Sequence, residues 1–292
     1  MVCAIATLTG CWNGRVLYAL EPPFLATLGD ETSLRLALGS AALTHGYAPS
    51  FSVPAGQDPA AVIQREAARG YSAVVVGPLL SFQWQLFAAA SPRTRFILVD
   101  TPPPAAGAPS NVVFLTFDRT PAFRVAGQLA ARTVRAAADA GAAGFDLAAR
   151  IGVLAADGSG LAPEEAEAFL GGAAGLLDGA RPASRTLSAL PDAEAVRAAV
   201  TQMRADGVQV FLLGLGERDA AGLEALRDAG AKAVVSDWEQ SAPLPSQVLA
   251  SVEEDVEGGI TRALAVRDGS RVVQGPVHLV EGPGRAEKGR KI

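Results

Sequence analysis

The sequence has few of the residues from which metal centres, disulfide frameworks and nucleophile–base catalysts are built. Its 292 residues include two cysteines and two histidines. Cys3 and Cys11 would lie about 25 Å apart if the run between them were extended, which is too far for a disulfide. His45 and His278 are too few for the usual zinc ligand sets. We therefore expect thiols without a role, no metal and no cofactor.

Clustered positive charge is also missing. The chain has 25 Lys and Arg against 30 Asp and Glu, a net charge of -5, and its arginines are scattered among acidic residues. A nucleic-acid surface needs clustered basic residues, so we expect no nucleic-acid partner. No Gly-x-Ser-x-Gly motif stands between a strand and a helix, and an enzyme is therefore disfavoured. An α/β enzyme is kept only as an alternative.

Long apolar runs are absent as well. No stretch of about 18 consecutive apolar residues is present that could span a membrane. No secretory leader of the usual form is visible, which fits either a cytoplasmic protein or one whose leader has been removed. Apolar residues make up 49% of the chain, enough to bury the cores of two domains. Only residues 282–292, rich in Gly, Pro and charge, have the composition of a disordered tail.

One pattern occurs twice along the chain: a β-branched apolar run that ends in Gly or Asp, followed by an Ala-rich helix. Residues 71–77 and 95–100 carry it in the first half, and 208–214 and 233–237 carry it in the second. Alternation of strand and helix predicts parallel sheets with right-handed crossovers. The repeat therefore predicts two α/β lobes of similar topology.

The predicted elements follow from apolar periodicity, caps and breakers. Strands are expected at residues 2–9, 48–53, 71–76, 95–100, 111–117, 151–155, 184–188, 208–213, 233–236, 249–252 and 272–280, the last as a strand or hairpin. Helices are expected at 25–45, 58–69, 83–90, 120–140, 163–177, 192–205, 219–229 and 255–267, with an irregular loop at 11–24. The lobes are predicted as 1–117 with 250–270 and 118–249 with 271–292. Three crossings between lobes are typical of a hinge.

Candidate ligand-binding residues lie in loops at the carboxyl ends of the predicted strands. Ligands of open α/β sheets bind there, so two facing edges would clamp a ligand. Aromatic residues are only 6% of the chain, and three in these loops, Trp12, Phe82 and Trp238, could stack on a planar ring or simply pack at the surface. Asp118 could bind ligand or cap the helix that starts at Thr120. Two glycines, Gly214 and Gly216, are also candidates, because they would let the backbone approach a ligand.

Several short motifs, in order over roughly residues 70–260, resemble the basic membrane protein family, bacterial lipoprotein receptors for purine nucleosides with the type I periplasmic binding protein fold. These motifs are Val74-Val75-Val76-Gly77, Ser91-Pro92-Arg93-Thr94-Arg95-Phe96-Ile97-Leu98-Val99-Asp100, Asn111-Val112, Phe123-Arg124-Val125-Ala126-Gly127-Gln128-Leu129-Ala130-Ala131, Ile151-Gly152-Val153-Leu154, Ala168-Phe169-Leu170-Gly171-Gly172-Ala173-Ala174-Gly175, Ser236-Asp237-Trp238-Glu239-Gln240 and Val248-Leu249-Ala250-Ser251-Val252. The fold that the resemblance implies is α/β, with two doubly wound parallel-sheet lobes joined by a multi-strand hinge.

The resemblance also assigns roles to residues. Asp237 matches the aspartate that accepts hydrogen bonds from the ribose hydroxyls. In the loop after strand one, Asn13 is the residue shared with the family. Glu254 stands where the family has a lysine that helps hold the ribose, a change that favours a cationic or hydroxyl-rich ligand.

The function that the resemblance implies is that of an extracytoplasmic solute-binding protein of an ABC importer. It would bind a purine nucleoside, dock on an ABC permease and lie in the periplasm or at the cell surface, held to the membrane only by a lipid anchor. Closure on the ligand would be a population shift. The alternatives are a binding module for another ligand such as a sugar, amide or amine, and a sensor or scaffold of the same fold with a protein partner.

Overall fold

The computed structural model describes residues 14–27, 31–52, 58–105, 107–141, 150–177, 183–236, 246–266 and 271–282. The chain divides into unit 1, Met1–Phe117 with Asp255–Pro276, and unit 2, Asp118–Glu254 with Val277–Ile292. The second and third crossings thus fall a few residues after the predicted positions. They are displaced because the last long strand of unit 2 continues to Glu254, and because residues 272–274 pair with unit 1.

Unit 1 is a six-stranded sheet with helices on both faces. Its elements are β1 (Gly14–Ala19), α1 (Pro22–Thr27), α2 (Glu31–Thr44), β2 (Tyr47–Ser52), α3 (Pro59–Ala67), β3 (Ala73–Val76), a 3-10 turn (Pro78–Gln83), α4 (Trp84–Ala90), β4 (Arg95–Val99) and β5 (Val112–Thr116), with α9 (Val256–Ala265) and β11 (Val272–Gln274) from the later segment. The strand order is β11-β5-β4-β3-β1-β2, and all its pairings are parallel.

The position of β1 corrects the prediction of a loop at residues 11–24. Residues 16–20 form an apolar run that alternates between the two faces of the sheet, with Val16, Tyr18 and Leu20 in one core cluster. Leu17 and Ala19 lie in the cluster on the opposite face. The strand is therefore buried on both faces, as parallel strands are. The strand predicted at 2–9 lies outside the described residues.

Unit 2 repeats this architecture. Its elements are β6 (Arg150–Ala156), α6 (Pro163–Ala174), β7 (Ala183–Leu187), α7 (Ala193–Ala205), β8 (Val208–Gly214), a 3-10 turn (Gly216–Arg218), α8 (Asp219–Asp228), β9 (Lys232–Val235), β10 (Val248–Glu254) and β12 (Val277–Glu281), preceded by the long helix α5 (Thr120–Asp139). The strand order is β12-β10-β9-β8-β6-β7. Omitting the last strand of each sheet, both units have the doubly wound order 2-1-3-4-5, which confirms the predicted fold class.

The segment 272–280 is neither one strand nor a hairpin. β11 pairs parallel to β5 in unit 1, whereas β12 pairs antiparallel to β10 in unit 2. Gly275 and Pro276 separate them, and the Gly275 amide donates to the Thr116 carbonyl before the chain changes sheet. Because Pro276 has no N–H, it cannot extend the ladder of either strand.

Particular residues account for two helix starts and for one close contact between helices. Asp58 caps α3 through its side chain, as predicted, and Asp192, predicted as the first residue of its helix, caps α7 in the same way. In unit 2, α5 and α6 approach to backbone contact. A Cβ at Gly127 would lie 1.9 Å from the Phe169 carbonyl oxygen, and one at Gly172 would lie 2.1 Å from the Arg124 carbonyl oxygen. Only glycine fits at these two positions.

Candidate ligand-binding edges

The two units present comparable loops at the carboxyl edges of their sheets. In a sheet of order 2-1-3-4-5 all these strands run the same way, but successive strands are added toward one side of the first strand and then toward the other. The switch point between the first and third strands, where this strand order reverses, is where ligands of doubly wound folds bind. In unit 1 the switch point lies between β1 and β3, and in unit 2 between β6 and β8. The residues just past these strands define two candidate binding edges, one in each unit.

The binding edge of unit 1 is built on a buried carboxyl group. Glu21, two residues after β1, is 4% exposed. Its Oε1 accepts a hydrogen bond from the Leu79 amide at 2.5 Å. Its Oε2 packs against Gly77 just past β3, where a Cβ would lie 1.9 Å from that oxygen. Among the described residues Oε2 accepts no hydrogen bond, and burial raises the pKa of Glu21.

A second anchor on the same edge joins the 3-10 turn to the end of β4. The Ser81 hydroxyl lies 2.7 Å from the Thr101 hydroxyl and donates to the Pro78 carbonyl. The Thr101 hydroxyl also lies 3.1 Å from the Val99 carbonyl oxygen, and its one proton serves either that oxygen or the Ser81 hydroxyl. Asp100, which lies between the end of β4 and Thr101, has a φ of 48°. This left-handed conformation is uncommon outside glycine and is found near functional sites.

Phe82, predicted to contact the ligand, lies on this anchored turn. Its side chain is 62% exposed, and that of Leu79 is 60% exposed. Trp84 and Phe87, in the helix that follows, are buried in the core. The turn therefore presents an aromatic ring and an aliphatic side chain to solvent at the carboxyl edge of the sheet.

The binding edge of unit 2 is rich in glycine. The loop after β6 contains Gly158 and Gly160, both with positive φ. Gly214 ends β8 buried against Leu161, whose side chain would lie 2.6 Å from a Cβ at that position. Gly216 has a φ of 60°, and a Cβ there would lie 3.7 Å from Ser159. Gly214 thus lets Leu161, in the loop after β6, pack directly on the end of β8, whereas Gly216 is suited to its position by its positive φ.

A charged cluster lies on the same edge of unit 2. Arg119 binds Glu165 in bidentate fashion, with nitrogen–oxygen distances of 2.7 and 2.9 Å, and donates to the Gly160 carbonyl at 2.7 Å. Its Nε also lies 3.6 Å from Glu254 Oε1. Glu165 Oε2 accepts from the Ala162 amide at the start of α6. The predicted site residue Glu254 is therefore part of an ion cluster that links β10, α6 and the segment before α5.

Other predicted site residues have a local role or lie outside the described part of the chain. Asp118 Oδ1 accepts from the Thr120 amide at 3.0 Å, the capping alternative considered for it. The residues outside the described ranges are Trp12, Asn13, Asp237 and Trp238.

Sequence reasoning missed Glu21, Arg119 and Glu165. Recognition of residues 16–20 as a strand would have placed Glu21 at its carboxyl end. The pairing of Arg119 with Glu165, 46 residues later, left no local signal.

A separate surface groove of about 670 Å³ runs between α5 and α6 in unit 2. It is lined by Thr120, Arg124, Gln128, Glu164, Glu167, Ala168, Gly171, Gly172, Gly175 and Leu176, none of which is a predicted site residue. Within the described ranges, no three His, Cys, Asp or Glu side chains are grouped as metal ligands. No helix in that part of the chain has the length and apolarity needed to cross a membrane.

Comparison with known proteins identifies the fold. No family model and no curated protein matches the chain. The solved structures it resembles include AraP, an arabinose-binding protein from Geobacillus stearothermophilus, with a TM-score of 0.69 and 11% identity over 94% of this chain and 98% of that one. An ABC transporter solute-binding protein from Aeropyrum pernix K1 aligns with a TM-score of 0.63 and 19% identity over 92% and 76% of the two chains.

A third similar structure comes from a regulatory protein. A transcriptional activator of the comK gene from Bacillus halodurans aligns with a TM-score of 0.68 and 17% identity, over 92% of this chain and 90% of that one. Identities in this range establish the fold alone. The chain has the type I periplasmic binding protein fold, with two mostly parallel doubly wound sheets.

Proposed function

We propose that the protein is a solute-binding protein that takes a small, hydroxyl-bearing ligand at the carboxyl edges of its two sheets. The observation that carries the proposal is the duplicated 2-1-3-4-5 order, which gives each unit a switch point lined by polar loops. Contacts from both units would favour the state in which both engage the ligand. The likeness to solute-binding proteins of ABC transporters supports the same role.

The ligand that we propose carries a pentose, and a purine nucleoside is the candidate favoured by the resemblance. AraP binds arabinose, a pentose, which supports a sugar-sized polyol. The exposed ring of Phe82 offers a stacking surface for a base, worth about 1 kcal/mol. Asp237 and Glu254 are the carboxylates that would accept hydroxyl hydrogens, the latter already oriented by Arg119. A free pentose is the alternative ligand.

Ligand-dependent thermal unfolding tests this function. We expect adenosine, inosine or guanosine to raise the melting temperature. The gain in unfolding free energy follows RT ln(1 + [L]/Kd) and is about 2.7 kcal/mol at a ligand concentration of 100 times Kd. D-ribose and L-arabinose separate the sugar from the nucleoside, and adenine alone tests whether the base suffices. An unchanged melting temperature with all of these compounds at millimolar concentration would contradict the proposal.

The location that we propose is outside the cytoplasm, with an ABC permease as partner and a lipid on Cys11 as anchor. Cys11 follows Gly10 and the mostly apolar residues 2–9, an arrangement like the apolar region and small residue that precede a leader processing site. A cysteine thiol is also a common attachment point for lipid anchors.

Membrane fractionation tests the anchor. Cys11→Ala should move the protein from the membrane to the soluble fraction, whereas Cys3→Ala should not. Mass spectrometry of the wild-type protein should find the lipid on Cys11. An unmodified Cys11 thiol would contradict this part of the proposal.

A regulatory sensor is the second candidate, favoured by the likeness to the transcriptional activator. A sensor would bind the same class of ligand but act through a protein partner rather than a permease. Crosslinking in cells distinguishes them: a permease subunit should be captured by a transport receptor and a regulator by a sensor.

A further inference from the structure

We infer that Glu21 is a positioning residue for ligand binding: it caps the Pro78–Gln83 turn from the neighbouring strand and so holds Phe82 in place. The inference rests on the proposed function, in which Phe82 contacts the ligand. Neither the sequence patterns nor the resemblance assigns a role to Glu21.

The turn needs a cap that its own sequence does not provide. The first N–H groups of a helical turn have no partner within it. Gly77 precedes the turn and has no side chain, and Pro78 has no N–H. The Leu79 amide is therefore the first donor of the turn that requires an acceptor.

Glu21 supplies that acceptor from the adjacent strand. Its Oε1 accepts from the Leu79 amide, 58 residues away in sequence. A carboxylate at a helical N-terminus is also favoured by the partial positive charge of the unsatisfied amides. The bond joins the ends of β1 and β3 across the switch point of unit 1.

The space around the carboxyl group is fitted to this contact. Gly77 leaves room for Oε2, since a Cβ there would lie 1.9 Å from it and 2.6 Å from the carboxyl carbon. Glu21 is 4% exposed, and Oε2 has no hydrogen bond among the described residues. Burial of a half-satisfied carboxyl group costs stability. A role in orienting the turn accounts for that cost better than a role in stability does.

The consequence falls on Phe82. Ser81, the residue before it, is held by Thr101 at the end of β4, so the turn has anchors from β1 and from β4 on either side of β3. With both anchors in place, the backbone that carries the exposed ring of Phe82 is held at one position on the carboxyl edge. Without Glu21, the Leu79 amide loses its acceptor, while the hydrogen bond from the Gly77 amide to the Ala19 carbonyl still joins the start of the turn to β1.

Amide hydrogen exchange by NMR on the full chain tests the cap without any ligand. Glu21→Met removes the acceptor at similar volume and should lower the protection of the Leu79 amide about tenfold, the worth of one hydrogen bond. Glu21→Gln keeps a carbonyl oxygen and should retain that protection. Leu38→Ala, a core change on the other face of the same sheet, controls for general destabilisation and should affect Leu79 no more than other amides. Unchanged Leu79 protection in Glu21→Met would overturn the inference.

A double-mutant cycle tests the link to binding, with adenosine and D-ribose as probes. Glu21→Met should weaken adenosine binding by no more than Phe82→Ala does, up to about fivefold, and add little in a Phe82→Ala background, because both changes remove the same contact. An equal loss in both backgrounds would overturn the positioning role. If the wild-type chain binds neither probe, the proposed function fails, while the exchange of Leu79 still decides whether Glu21 caps the turn.

Discussion

The two units share one topology but differ in the chemistry of their carboxyl edges. In unit 1 the switch point holds a single buried carboxyl group and an anchored turn with exposed Leu79 and Phe82. In unit 2 it holds glycine loops and a bidentate ion pair, Arg119 with Glu165. The strand order determines where the loops lie, and the loop residues determine what each edge can bind. Under the proposed function, a base would suit the apolar side chains at the edge of unit 1, and sugar hydroxyls would suit the carboxylates of unit 2.

The largest effect is expected from breaking the ion cluster of unit 2. Arg119→Met leaves Glu165, whose side chain is 8% exposed, without its cation. Removal of one partner from a buried pair costs about 3 to 5 kcal/mol, and we expect a loss near 3 kcal/mol of unfolding free energy in urea. Arg227→Met, which breaks an exposed pair with Asp228, should cost less than about 0.5 kcal/mol. Equal losses of unfolding free energy in the two variants would show that the pair of Arg119 with Glu165 contributes no more than an exposed surface pair.

The helix pair that supports the edge of unit 2 provides the next test. Gly127→Ala places a methyl group against the Phe169 carbonyl, and we expect a loss of about 1 to 3 kcal/mol. Gly171→Ala is the matched control, because a Cβ there meets nothing within 4 Å and alanine favours a helix by about 0.5 to 1 kcal/mol. Calorimetry should therefore record opposite signs for these two glycines, and a similar melting temperature for both would refute close packing of α5 on α6.

The pH dependence of the unfolding free energy tests the buried carboxyl group of unit 1. Burial raises the pKa of Glu21, so the folded state holds its proton more tightly than the unfolded state does. Its contribution to stability is therefore full below the ordinary pKa of glutamate and is lost as the pH rises through the raised value. Glu21→Gln cannot ionise at this position, so its unfolding free energy should not fall in this way. The difference in unfolding free energy between Glu21→Gln and wild type, measured in urea titrations, should therefore grow in favour of the variant as the pH rises. A constant difference at all pH values would contradict the burial of the carboxyl group.

The smallest effect is expected at the exposed face of the turn. Phe82→Ala should leave stability within about 0.5 kcal/mol, because the ring is mostly exposed, and should weaken nucleoside binding by about 1 kcal/mol, roughly fivefold. Leu86→Ala is the control, since Leu86 is 57% exposed on α4 and lies outside the predicted site. Titration calorimetry with adenosine should separate them. Equal affinity of the two variants would remove Phe82 from the site.

Much of the fold could be predicted because local signals agreed with tertiary structure. The runs at 73–76 and 208–214 are continuous, β-branched and buried, and Asp58 and Asp192 cap the helices that they precede. The strand β1 was missed because residues 2–9 have the same apolar pattern and Asn13-Gly14 resembles a breaker. The sequence around residues 272–280 does not show that β11 and β12 belong to different sheets. Strand pairing depends on the partner strand, and the partner of β11 lies more than a hundred residues away.

The site was less predictable than the fold. Phe82, Gly214 and Gly216 were predicted because they follow recognisable strands, and Glu254 because of its place in the family motif, and their roles in binding stay predictions. Glu21 acquires its role only from its contact with Gly77 and Leu79, which tertiary packing brings to it. The partners of Arg119 are likewise set by the positions of α6 and β10 rather than by neighbours in sequence.

The most direct test of the central claim is native mass spectrometry of the full chain, as purified and after incubation with adenosine and D-ribose. The account predicts one bound pentose-containing molecule per chain, with occupancy reduced in Phe82→Ala and in Asp237→Asn. A chain that carries no small molecule under any of these conditions would contradict it.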